Sequence, residues 1–170
     1  AFETTFAITD PTADRTITFP DSSFTVPTTG GMVLQVLEDN ITGVVSTTSA
    51  SYVTSGLSID ITPASTSSRF VLSLSGGEGA NYNNNVGQQV TFYVDGSEVS
   101  DAGPYESIEF YFGDNAGVSH SACCVHSPAT VSATTYAVFF KCDGGGTSYF
   151  NGSSGTGPGR VVFTVTELSS

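Results

Sequence analysis

His120, Cys124 and His126 are the residues whose types and spacing come closest to a chemical site. On an extended strand their even spacing places them, with Ala122, on one face. Two imidazoles and a thiolate could in principle hold a soft metal. Six residues, however, span about 20 Å along a strand, too far for both histidines to reach one ion without a bend. A Cys124–His126 nucleophile pair fails similarly, because side chains two apart on one face lie ~7 Å from each other, beyond hydrogen-bond reach. Glycan cleavage needs two carboxyls converging at about 5–9.5 Å. The candidates are Glu106 with Glu109, and Asp95 with Glu98 or Asp101. Glu106 and Glu109 are oddly spaced and face opposite sides of a regular strand. These groups read as solvated strand and loop charges. No catalytic residue, metal or cofactor is expected.

Binding chemistry has a better candidate in GGEGANYNNNVGQQ, residues 76–89. Tyr82 offers a flat stacking face, and Asn83, Asn84, Asn85, Gln88 and Gln89 offer amides that both donate and accept. Sugars, with polar rims and apolar CH faces, suit that combination. The stretch reads as a surface loop. NGSSGTGPG, with Tyr149 and Asn151 at its start, has similar composition and a weaker case. Two N-x-S/T sequons occur, at Asn40 and Asn151, and chance matches are expected in so Thr- and Asn-rich a chain.

The elements that must position these residues are strands. Period-two alternation recurs along the chain, and helical periodicity does not. Leu57, Ile59 and Ile61 share one face; so do Phe70, Leu72 and Leu74; Val90, Phe92 and Val94; Ile108, Phe110 and Phe112; Tyr136, Val138 and Phe140; and Val161, Phe163 and Val165. Gly-, Pro- and Asn-rich breaks separate them, and Asp95-Gly96 is a hairpin signal. About ten evenly spaced strands indicate an all-β chain, a β-sandwich of jelly-roll-like type. The 170 residues suffice for one domain with a short appendage.

The net charge of −12, with only Arg15, Arg69, Lys141 and Arg160 basic, excludes a phosphate-neutralising patch, so neither nucleic acid nor an anionic membrane surface is expected as a partner. No apolar run approaches the ~20 residues that span a bilayer, so membrane insertion is not expected. Cys123, Cys124 and Cys142 are too few for a disulfide framework. They read as buried free thiols, or as a single bridge from Cys142 to one of the other two. Cys123 and Cys124 point to opposite faces of a strand. Ala1 opens the chain as it would a processed product or a fragment of a longer polypeptide.

Residues 1–27 are different. FETTFAIT, RTITF and FTV are short extended runs separated by DPTAD and PDSS, with too few apolar groups for a core of their own. A boundary near Pro27–Gly31 divides an extended β-shaft segment, 1–30, from a β-sandwich head, 31–170.

FETTFAITDPTADRTITFPDSSFTV resembles the short repeat of bacteriophage tail-fibre and related virion fibre proteins, common among marine phages. The family pattern is a T-L-T-V-type strand, DPTADRTITFPD, then G-T-V; here Ser23-Phe24 stand where Thr-Gly is usual. VLQVLE, STTSASYVTSGLSIDITPASTSSRFVLSLSGG, HSPATVSATTYAVFFK and GRVVFTVTEL resemble the distal domain of the same fibres. The resemblance implies a structural homotrimer at the distal end of a phage tail or capsid fibre, adhering to a host-surface glycan or protein. Three copies wrapped on a common axis would bury Phe2, Phe6, Ile8, Ile17, Phe19 and Phe24. The alternative is a secreted, extracellular filament subunit whose N-terminal strand inserts into the next copy's sheet.

Overall fold

The computed structural model describes residues 31–81, 87–99, 107–111, 117–143, 145–152 and 159–170. The shaft segment, its six apolar residues, and Tyr82, Asn83, Asn84 and Asn85 lie outside these residues.

The described residues contain no helix, as the alternation requires. They form β1 (Val33–Ile41), β2 (Val45–Thr47), β3 (Val53–Ile61), β4 (Arg69–Asn81), β5 (Gly87–Val94), β6 (Ser97–Glu98), β7 (Ser107–Tyr111), β8 (Gly117–His126), β9 (Thr134–Asp143), β10 (Ser148–Phe150) and β11 (Val161–Leu168). All pairings are antiparallel. In the first sheet β8 pairs with β4, β4 pairs along its other edge with β11 and then β10, and these pair with β1 and β2. In the second sheet the order is β3, β9, β5, with β6 and β7 sharing the far edge of β5. The partnerships nest: β1 with β11, β3 with β9, β4 with β8, β5 with β7. A single long antiparallel hairpin rolled into two facing sheets has this nesting, the jelly-roll topology.

The inward faces follow the alternation. Leu57, Phe70, Leu72, Tyr136, Val138, Phe140, Val161, Phe163 and Val165 are fully buried. Aromatic pairs bridge the sheets: Phe70–Tyr136 at 5.5 Å, Phe92–Phe163 at 5.7 Å and Phe140–Phe150 at 5.3 Å between centroids. Each such ring contributes roughly 1.5–3 kcal/mol by burial, and each pair about 0.5–1.5 kcal/mol more.

Two sequence expectations are corrected here. Residues 76–81 are not loop but the second half of β4, and Gly87, Gln88 and Gln89 open β5. The glycines read as loop serve a bulge instead. Register slips between Gly76 and Gly79, and Gly76 and Gly77 take φ of 83° and 58°. A Cβ on Gly76 would stand 2.5 Å from the Arg160 carbonyl oxygen, and one on Gly77 2.2 Å from Val161 Cγ2. Only glycine fits both the left-handed backbone and that approach. The Asp95-Gly96 hairpin forms as expected, with φ of 48° and 80° at the two turn residues.

Candidate functional site

The even spacing of β8 does turn His120, Ala122, Cys124 and His126 to the interior, but the sandwich uses them as packing groups. His120 is 1% exposed and packs at a tilt against Phe150, with ring centroids 4.5 Å apart. Its Nε2 lies 2.9 Å from Gln88 Oε1 on the facing sheet. Gln88 is itself fully buried, its Nε2 donating to Ser148 Oγ (2.8 Å) and the Tyr149 carbonyl (2.9 Å) on β10. That orientation leaves Oε1 as the acceptor for His120, so Nε2 carries the imidazole proton. Burial pushes the His120 pKa down to about 4, against a smaller opposite effect of the nearby Gly76 backbone. His126 Nδ1 lies 2.9 Å from the Tyr136 hydroxyl. Cys124 is half-buried, Cys142 is buried and directs its thiol to the Gly145 carbonyl at 3.5 Å, and Cys123 is exposed. None of the three forms a disulfide, so the single-bridge alternative does not hold, and Cys123 corrects the expectation of burial.

Other polar candidates also serve the fold. Asp95 Oδ1 accepts from the Thr135 N–H at 2.8 Å, and Glu98 Oε1 accepts from Thr91 Oγ1 at 2.8 Å. Asn151, fully buried at φ 68°, directs its amide nitrogen to the Ile41, Gly43 and Gly159 carbonyls. It is therefore neither a ligand group nor an acceptor open to glycosylation. Gln88, expected as a surface amide, is likewise a core group, because the strand alternation turns it inward beside Val90.

Gln89 faces the other way, onto the outer surface of the second sheet, and the side chains around it form the best candidate for recognition. Tyr93 and Phe139 stack with centroids 4.0 Å apart and planes 22° from parallel. Tyr52 meets Tyr93 edge-on at 6.2 Å, and Lys141 Nζ sits 4.7 Å from the centre of the Tyr52 ring. The Tyr52 hydroxyl donates to Gln89 Oε1 at 3.2 Å, and Gln89 Nε2 approaches Asp143 Oδ2 at 3.4 Å. Strand register explains the grouping: Gln89 opposes Lys141, and Thr91 opposes Phe139, which opposes Thr54. Thr91 lies among these groups and is 2% exposed, whereas Tyr52, Tyr93, Phe139, Lys141, Gln89 and Asp143 are half-buried. Burial first, and then the Glu98 carboxylate, raise the Tyr93 phenol above its ordinary pKa, so it stays a donor.

Sequence reasoning singled out Gln89 and missed the rest. A signal was present: Tyr93 and Phe139 are aromatic residues on the faces of their strands opposite the core.

No family model matches the chain, and no curated protein does. Among solved structures, a chain in the structure of infectious bursal disease virus, Gx strain, is similar over 80% of this chain and 42% of its own length, at 12% identity and a TM-score of 0.38. This chain therefore spans less than half the length of that one.

Proposed function

We propose that this chain is a structural, non-catalytic protein of a virion fibre, in which copies associate and the sandwich is the host-facing head. The observation that carries the reading is the apolar start of β1. Met32, Val33, Leu34 and Val36 are 46, 58, 42 and 51% exposed. β1 gives Leu37 and Ile41 to the core and turns Leu34 and Val36 outward. A row across the sheet, Val36–Thr166–Val71–Val125, continues that surface, with Val125 39% exposed. Contiguous apolar surface at a sheet edge favours contact between chains. It lies where the fibre-like repeat of residues 1–30 joins the head, and that repeat has too few apolar groups to fold alone. The resemblance favours a closed homotrimer on a virion.

The unpaired edge of β1, among the described residues, also favours a second reading. In a secreted filament, the N-terminal strand of one copy would pair with β1 of the next. Light scattering across a concentration series separates the two readings. The fibre reading expects one closed species of three chains, and a Leu34→Ser, Val36→Ser double variant that dissociates at concentrations where the parent does not. An open ladder of sizes supports the filament. A parent that stays monomeric throughout overturns both.

A further inference from the structure

We propose that the outer face of the second sheet is a binding site for a neutral glycan, centred on Tyr52, Tyr93 and Phe139. The inference rests on the reading of the sandwich as an attachment head and supplies the chemistry of what it attaches to. The three rings are not needed by the core, which lies on the opposite face of β5 and β9. They are nonetheless held in place: Tyr93 by its stack on Phe139, Tyr52 by Tyr93, Lys141 and the hydrogen bond to Gln89. Half-exposed rings fixed in this way lose little side-chain freedom when a ligand settles on them. Apolar CH faces of a sugar ring match them in size and character.

Polar groups that would read a sugar's rim stand beside the rings. Gln89 offers an amide, Asp143 a carboxylate and Lys141 an ammonium, and all three side chains share the outer face. Together they donate to and accept from vicinal hydroxyls.

The electrostatics select within glycans. Lys141 is already engaged over Tyr52, Asp143 and Glu98 flank the rings, and the chain carries −12 overall. An acidic polysaccharide is repelled at a distance and, among the described residues of this face, meets one cation whose charge Tyr52 and the neighbouring carboxylates already offset.

The test uses the full chain on an array of printed neutral oligosaccharides, with maltohexaose, cellohexaose and galactose-terminated chains among them, beside heparin and polygalacturonate. The proposal expects retention of one or more neutral oligosaccharides and of neither acidic polymer. Tyr93→Ala and Tyr52→Ala should each lower the signal about tenfold, the loss typical of a central aromatic contact. Tyr52→Phe, which keeps the ring, should lower it less. Thr54→Arg adds bulk beside Phe139 without removing a ring, so it blocks binding even if an alanine variant fails to fold. Val131→Ala, at a remote exposed position, should change nothing. Retention of the acidic polymers, or neutral binding indifferent to Tyr52, Tyr93 and Thr54, overturns the proposal. Host cells bound by a chain that retains no neutral glycan leave the attachment reading standing and remove the glycan. Neutral glycans bound by a chain that ignores host cells do the reverse.

Discussion

His120 ties the two sheets through Gln88, and its burial makes stability depend on pH in a definable window. The imidazole is favoured neutral in the fold, with a pKa of about 4 against an ordinary 6.5. Between those values the unfolded chain binds the extra proton, so stability is complete above about pH 6.5 and falls as pH drops toward 4. The full effect is on the order of 3 kcal/mol. Denaturant melts at pH 7 and pH 4.5 should show this loss, and His120→Gln should abolish most of the slope between them; an unchanged slope would refute the assignment. Glu167 acts lower on the scale. Burial alone would raise its carboxyl, but the adjacent Ser68 hydroxyl and the hydrogen bonds from Gln35 and the Ala64 N–H outweigh it and hold the group below its ordinary value of 4.5. Its contribution is therefore present above pH 4.5 and lost as pH falls through the depressed value. At this scale the sequence was partly legible. Alternation put His120, Cys124 and His126 on one face correctly. It could not show that Gln88 on another strand would meet His120, since that contact depends on how the two sheets face each other.

Two interrupted strands lie side by side, β10–β11 along β4 and β1–β2 beyond it, and Asn151 fastens both interruptions at once. Its amide nitrogen holds the carbonyls of Ile41 and Gly43 on one side and Gly159 on the other, at 3.0–3.2 Å. Asn151→Ala removes these bonds and places a residue less tolerant of the left-handed region at φ 68°. A loss of about 2–4 kcal/mol is expected in denaturant melts, and less for Asn151→Gly, which keeps the backbone freedom. Equal costs for the two variants would show that the hydrogen bonds alone matter. Gly76→Ala should cost about 2 kcal/mol or more, because the new methyl meets backbone rather than a movable side chain. The strand cores of β3, β4, β5, β9 and β11 were readable because each exposes one face. Residues 76–81 were not, because Gly76 and Gly77 serve a bulge and their local chemistry is the same as that of a turn. Asn151 was read as a sequon or a loop amide for the same reason: a buried polar clip and an exposed polar loop share a composition.

The whole sandwich was legible in outline, since repeated period-two faces with turn residues between them leave few alternatives to facing antiparallel sheets. The proposed glycan surface was less so. Sequence spacing directed attention to a loop, whereas Tyr52, Tyr93 and Phe139 come from three strands or their margins and meet only through the β3–β9–β5 register. The two outer faces of the molecule then differ in character. The first sheet presents the row from Val36 to Val125, valine at every position but Thr166, and the second presents rings, amides and charges. Such a division suits a fibre head that meets copies of itself on one side and a host on the other. Association and attachment should accordingly separate by mutation: Leu34→Ser with Val36→Ser lowers assembly, and Tyr93→Ala lowers host binding. The most direct test of the proposed role is where the protein sits on a native particle. A gold-labelled antibody against the sandwich, viewed by electron microscopy on intact virions, should decorate the distal ends of fibres. Label confined to filaments on cell surfaces, with particles bare, would contradict it.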